Sequence, residues 1–359
     1  MSAPARWLTR EDLSGKAASG LLLASPDADT VYPMTSRERT AATVGTGAAL
    51  TEMGVRSGDR VVVALAGDGD LAGPLWAGAA AEVAAAGASV GPRGRLRLHH
   101  ALEAMRANTL VITPTGAMDF LARLHLEFLL DPLDLGLRTI IVTGEIASRR
   151  TLAHLASEFE ARVVEAYSCP FTGVPLAWRD AEDAPLTPFA ADRLGLAALG
   201  KDSAQAPPYP AGLAELVLTP GHEGLGDAVV RTGQVVRLDA GADAIPAPAH
   251  TVGGHVLIRG RWLPLARVER AMARIDGVST WDLSISREGT LDAATLRVSF
   301  NRASLTGNPM WRSRIQQSIA GITPISIAVD VAEEVVEQSG PGTVTDLRGH
   351  HLGTDRSAL

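Results

Sequence analysis

The sequence predicts an α/β chain, with a large βαβ domain over residues 1–252 and a small α+β domain over 253–359. Three observations predict it. From about residue 40 to 168, short β-branched runs alternate with helical periods, the pattern of a mainly parallel sheet covered by helices. An Ala/Pro/Gly-rich stretch at 240–254 then interrupts the chain as a linker or hinge. Beyond it lies a mixed module of about 100 residues, an ordinary size for a domain.

The elements follow in order. Residues 37–53 have helical periodicity; 60–65, Arg-Val-Val-Val-Ala-Leu, form a β-branched run that predicts a strand; the alanine-rich 75–86 predicts a helix ended by Gly87. The cycle repeats with helix 96–107, strand 109–113, helix 116–130 stopped by Asp131-Pro132, strand 138–143, helix 148–160 and strand 162–167. Sheets of this kind bind ligands at the carboxyl ends of their strands, which singles out the loops after Thr113, Thr143 and Tyr167. Residues 179–212, with Pro188, Pro207, Pro208 and Pro210, predict an irregular exposed connection before strands 213–219 and 228–238. The last module predicts strand 255–259, helix 265–275, strands 280–286 and 293–300, helix 309–319 and strand 325–331.

Composition narrows the function. A 359-residue chain that is 46% hydrophobic and 20% charged can bury a sizeable core, which excludes disorder as the dominant state. A formal net charge of −7, with scattered basic residues, gives no footprint for nucleic acid. The single cysteine, Cys169, excludes an intramolecular disulfide and a multi-cysteine zinc site. The first residues offer no apolar leader, and no stretch reaches the roughly 18 apolar residues of a membrane span, so a cytoplasmic protein without a membrane partner is expected. His99-His100 and His350-His351 suggest metal pairs only superficially, because adjacent residues on a helix point apart, and no metal site is expected. Only two lysines, Lys16 and Lys201, stand among the 33 basic residues.

Several local sequences, in order, carry a resemblance. They are Leu8-Thr9-Arg10-Glu11-Asp12-Leu13, Val142-Thr143-Gly144-Glu145, Val164-Glu165-Ala166-Tyr167, Val230-Arg231-Thr232-Gly233, and Leu257-Ile258-Arg259-Gly260 followed by Val268-Glu269. From Leu8 to about Arg348 the chain resembles the phenylacetate–CoA ligase branch of the adenylate-forming (ANL) superfamily, shortened at its N-terminal side. The resemblance implies an ANL-type adenylate-forming fold with a mobile C-terminal domain. It also implies an ATP-dependent reaction in which a carboxylate attacks the α-phosphate and a thiol intercepts the acyl-adenylate. Such chemistry needs a phosphate cradle, a magnesium ligand, a ribose anchor and a lysine beside the developing charge.

Each of those positions is changed here. The family's Ser/Thr/Gly-rich phosphate loop with its lysine falls on Ser25-Pro26-Asp27-Ala28-Asp29-Thr30, which has neither glycine nor lysine. Asp27 and Asp29 would repel a triphosphate; like charges at ~4 Å do so by a few kcal/mol at an effective dielectric near 20. An ordinary surface turn is the other reading of Ser25 to Thr30. The magnesium-binding glutamate falls on Phe171, which cannot ligate a hard cation. The ribose-binding aspartate falls on Gln234, a weaker acceptor, and the arginine ahead of the hinge falls near Thr251. The hinge aspartate falls on Gly253 or Gly254, and the C-terminal lysine on Thr343, with no lysine anywhere after Lys201. Arg348 could offer charge there, but its planar head is no point-charge substitute.

A pocket is still expected from Gly144, Glu145, Tyr167, Ser168 and Phe171. Cys169 could act as an acyl-transfer nucleophile if His99, His100, His222, His250 or His255 lowered its pKa; a small buried apolar residue is the other reading. Glu145, and similarly Glu165, could act as a base or anchor an amine, or simply cap a helix. The expected function is that of a divergent enzyme of specialised biosynthesis, binding a small, aryl-type carboxylate or its activated acyl form. ATP-driven adenylation is lost or severely reduced, and acyl transfer or condensation remains. The alternatives are an active acid–CoA or acid–AMP ligase, needing ATP, magnesium and CoA, and a noncatalytic homologue that partners an enzyme. A carrier protein or a second copy of the chain would be the macromolecular partner.

Overall fold

The computed structural model describes residues 5–9, 12, 21–24, 31–66, 72–169, 174–190, 192–306 and 308–359, with the backbone alone at 21–24 and 31–33. The chain divides into two compact units, Met1–Ala249 and His250–Leu359.

The first unit is built on a sheet of five parallel strands, β1 (Arg60–Val63), β2 (Ala86–Ser89), β3 (Thr109–Ile112), β4 (Thr139–Thr143) and β5 (Arg162–Ser168). Their spatial order is β2-β1-β3-β4-β5, and β6 (Pro175–Arg179) with the short strand Thr187–Pro188 extends the far edge antiparallel. This is a doubly wound order. The helices are α1 (Ser36–Glu52), α2 (Ala72–Val83), α3 (Arg95–Met105), α4 (Pro114–Arg123) and α5 (Arg149–Phe159). The Val/Ile runs of β1, β3 and β4 are covered on both faces, which is why they read as continuous apolar segments rather than alternating ones. Helix starts follow local chemistry: Thr35 and Glu38 form a capping box on α1, Thr113 caps α4 ahead of Pro114, and Ser148 caps α5.

Two sequence expectations are corrected here. The helix expected to run to Ala86 stops at Val83, and Ala86–Ser89 is a strand. Alanine's helix propensity masks a strand that carries no β-branched residue. Gly87 makes the strand possible, because a Cβ there would lie 2.2 Å from the Ala77 carbonyl oxygen. Helix 116–130 likewise ends at Arg123 and passes through a π-turn, Leu124–Phe128, closed by Leu129 at φ 53°.

A second sheet stands in the same unit. Its order is Trp7–Leu8, β9 (Val229–Leu238), β8 (Gly212–Leu218), β7 (Leu194–Ala198) and the short Ala204–Gln205. Strand β7 lies inside the stretch expected to be irregular. Tyr167, Cys169 and Leu176 of the first sheet share a core with Leu196, Leu216 and Val230 of the second.

The second unit opens with a hairpin of β10 (His255–Ile258) and β11 (Arg261–Pro264), which leads into α6 (Leu265–Met272). Strands β12 (Val278–Glu288) and β13 (Leu291–Phe300) pair antiparallel, and β14 (Ala328–Val335) and β15 (Thr343–Asp346) flank them parallel. Burial alternates residue by residue along β12 and β13, so one face packs against α6 and α7 (Pro309–Ala320) through Val268, Met272, Ile315 and Ile319. No described helix is long and apolar enough to cross a membrane.

Candidate functional site

Three neighbouring strands end together. At the carboxyl end of β4, Gly144 turns the chain at φ 84° and leaves its backbone exposed. Glu145 follows and reaches the start of α4: its Oε2 accepts from the Thr115 N–H at 2.8 Å and its Oε1 from the Thr115 hydroxyl at 2.7 Å. A carboxylate at a helix N-terminus is held by free N–H groups and by the helix dipole. Glu145 therefore joins the ends of β3 and β4. The Thr143 and Ser168 hydroxyls lie 2.7 Å apart and join the ends of β4 and β5 in the same way. Tyr167 and Cys169 point instead into the core between the sheets, with Cys169 only 3% exposed. Phe171 and the stretch Ser25 to Thr30, with Asp27 and Asp29, lie outside the described residues.

Glu165 sits deeper on β5, directly across from Arg179 on β6, whose Nε donates to its Oε2 at 2.6 Å. Burial pushes this carboxyl above its ordinary range, and the Arg179 charge only partly opposes it. Arg179 also donates to the Glu182 carbonyl, and the ion pair borders a cavity of about 340 Å³ beside α5. A groove of about 330 Å³ runs along α1, lined by Ala41, Gly45, Glu52, Leu176, Arg193 and His222. Sequence reading found neither space, because each is walled by segments far apart in the chain.

The Val230-Arg231-Thr232-Gly233 segment is a buried knot in the second sheet. Arg231 donates through Nη1 to Glu215 Oε2 at 2.7 Å, and its guanidinium lies 5.1 Å from the Trp7 ring centre. Glu215, wholly buried, also accepts from the Gly233 N–H at 2.9 Å. Thr232 donates to the Leu216 carbonyl and accepts from the Gln234 N–H. Gly233, at φ 76°, turns the strand opposite the bulge between Glu215 and Val217, and Gln234 is left buried. Arg231 is thus neutralised by Glu215 and works as a structural cation.

In the second unit, the Thr343 hydroxyl donates to Asp282 at 2.6 Å and Thr345 adds a second bond at 3.1 Å. Gly342 lies on the face of Trp281, where a Cβ would fall 1.9 Å from the ring. Arg348 is buried in a closed network: it donates to Asp292, to both Asp346 oxygens, and to the Leu257 carbonyl at 2.9 Å. Burial opposes its charge, but hydrogen bonds to Asp346 and the Asp292 carboxylate outweigh that and raise its pKa further. Arg348, five residues after Thr343, is therefore compensated from two sides. Gly253 stands at φ 103°, with Gly254 after it at the start of β10. Among the candidate histidines, His99 lies against Glu103 and Phe128, and His250 against the Gly349 carbonyl.

Solved structures share this architecture at low sequence identity. A 2-hydroxyisobutyryl-CoA ligase in complex with 2-HIB-AMP and CoA superposes with a TM-score of 0.73 at 16% identity, over 89% of this chain and 71% of that one. The same ligase in its postadenylation state with 2-HIB-AMP gives 0.60 at 15% identity, over 96% and 81%. A malonyl-CoA ligase with methylmalonyl-CoA and AMP bound gives 0.58 at 14% identity, over 85% and 68%. No family model and no curated protein matches the sequence. The fold of this chain is the ANL-type adenylate-forming fold.

Proposed function

We propose that the chain is a divergent enzyme of the phenylacetate–CoA ligase-like branch, in which ATP-driven adenylation is lost or severely reduced. Its substrate is a small, aryl-type carboxylate or the activated acyl form of one, and its reaction is acyl transfer or condensation on a preactivated substrate. One observation carries the reading. The second unit has no lysine, and Arg348, the first arginine in sequence after Thr343, spends its charge on Asp346 and Asp292.

Among the described residues, Thr343 and Glu145 bring no cation to balance a triphosphate: the Thr343 hydroxyl donates to Asp282, and the Glu145 carboxylate accepts from Thr115. What the residues at the strand ends supply is a rigid rim: Thr115, Glu145, Thr143 and Ser168 tie three strand ends together, so an acyl group bound there would meet a preorganised surface. Cys169, the acyl-transfer candidate, would need to emerge from the core to react.

Calorimetry with ATP–magnesium and with AMP tests the reading. Heats indistinguishable from dilution are expected, and micromolar ATP binding overturns it. The solved neighbours with AMP and CoA bound favour a second reading, an active acid–CoA ligase. Carboxylate-dependent pyrophosphate release across a panel of aryl acids would establish that one.

A further inference from the structure

Gly253 and Gly254 are where the resemblance puts a hinge, yet the backbone around them is held by the chain's own tail. Residues 349–353 run alongside 250–253. The Thr251 N–H donates to the His350 carbonyl at 2.6 Å, the Leu352 N–H to the Thr251 carbonyl at 2.9 Å, and the Gly253 N–H to the Gly353 carbonyl at 2.9 Å. Thr251 and His351 form a parallel bridge, with the Thr251 hydroxyl 3.1 Å from His351 Nδ1. His250 Nδ1 lies 2.9 Å from the Gly349 carbonyl oxygen.

The contact is anchored at both ends. Upstream, the Asp346 carboxylate accepts from Arg348 and, at 3.0 Å, from the His351 N–H, while Arg348 is fixed to Asp292 and to the Leu257 carbonyl. Downstream, the Arg356 guanidinium covers Gly253, where a Cβ would fall 2.7 Å from Nη2. A glycine at 253 is thus favoured by its left-handed φ, whether or not the position moves, while the Arg356 guanidinium, the end of a flexible side chain, could give way to a Cβ.

We propose that residues 349–356 are a clasp that fixes residues 251–253 within the second unit, so that the two glycines do not act as a swivel. The clasp does not depend on whether ATP binds, since it rests on the backbone pairing of 251–253 with 350–353 and on the Arg348 and Arg356 contacts.

Amide hydrogen exchange on the full chain tests it, with the variants Leu352→Pro, which removes the donor to Thr251, and Arg356→Ala, which uncovers Gly253. In the unaltered chain the Thr251 and Gly253 amides should exchange at least about tenfold more slowly than unstructured ones. Leu352→Pro should accelerate both by about tenfold, and Arg356→Ala the Gly253 amide, while Leu283 and Leu296 in β12 and β13 stay unchanged. Unprotected Thr251 and Gly253 amides in the unaltered chain overturn the clasp. So do variants that leave them as slow as before, or an acceleration that spreads to Leu283 and Leu296.

Discussion

At the residue scale, buried charges are held by their partners. Arg231 and Glu215 show this most clearly, because a pair that is almost wholly buried is tolerated only while each charge has its partner. Glu215→Ala would take the buried carboxylate from Arg231, leaving it Asp202 and the Ala198 and Lys201 carbonyls, and would remove the Gly233 N–H's acceptor. Urea unfolding should then show a loss of about 3 kcal/mol. Had Arg231 been held for a ligand, the loss would be small and would appear in binding instead. Some of this was legible: Gly144 follows the expected strand 138–143 and Gly253 lies in the expected hinge stretch 240–254, and they stand at φ 84° and 103°, whereas Gly233 at 76° falls inside the expected strand 228–238. What Glu145 does was only half legible. Capping was one of its readings, but the helix it caps begins 30 residues earlier, and no local pattern records that distance.

At the scale of elements, periodicity served where side chains differ in polarity and failed where they do not. Helix α5 was legible to its caps, since Ser148 and Glu160 bracket an amphipathic run. Strand β2 was hidden, because Ala-Gly-Ala-Ser offers neither branching nor alternation and its strand character comes from pairing with β1. The contact behind it is testable. Gly87→Ala would set a methyl against the Ala77 carbonyl oxygen and the Ala81 nitrogen, both backbone atoms that cannot rotate away. A destabilisation on the order of 3 kcal/mol is expected from chemical denaturation, from overpacking rather than lost helix propensity.

At the scale of the molecule, the fold class was legible because an order of strands and helices survives errors in single elements. The site was less so, since its walls are assembled from loops that only the sheets bring together. One property of the second unit emerges only from the assembled tail. His351 is held down to a pKa of about 4, chiefly by burial, with Asp346 pulling upward and Arg348 downward. Among the described residues its Nε2 has no hydrogen-bond partner, so the cation would gain an N–H with none of them to bond. The neutral ring is therefore the folded form. The stability it contributes is intact above the ordinary value of 6.5 and is lost as pH falls from there toward 4. About 3 kcal/mol is at stake over that window. Thermal unfolding followed by the fluorescence of Trp281 and Trp311 should fall in midpoint over that range, and His351→Asn should flatten the fall.

The pairing of Trp7–Leu8 with β9 bears on how the protein is made. The first strand of the chain waits for Val229 and Val230, more than 200 residues later, before it gains a partner. On the ribosome the parallel sheet emerges whole while the second sheet still lacks β9 and Trp7 lacks the Arg231 guanidinium that lies against its ring. The large unit therefore closes late in synthesis, and a chain stalled before β9 would expose Trp7 to whatever chaperone stands at the exit.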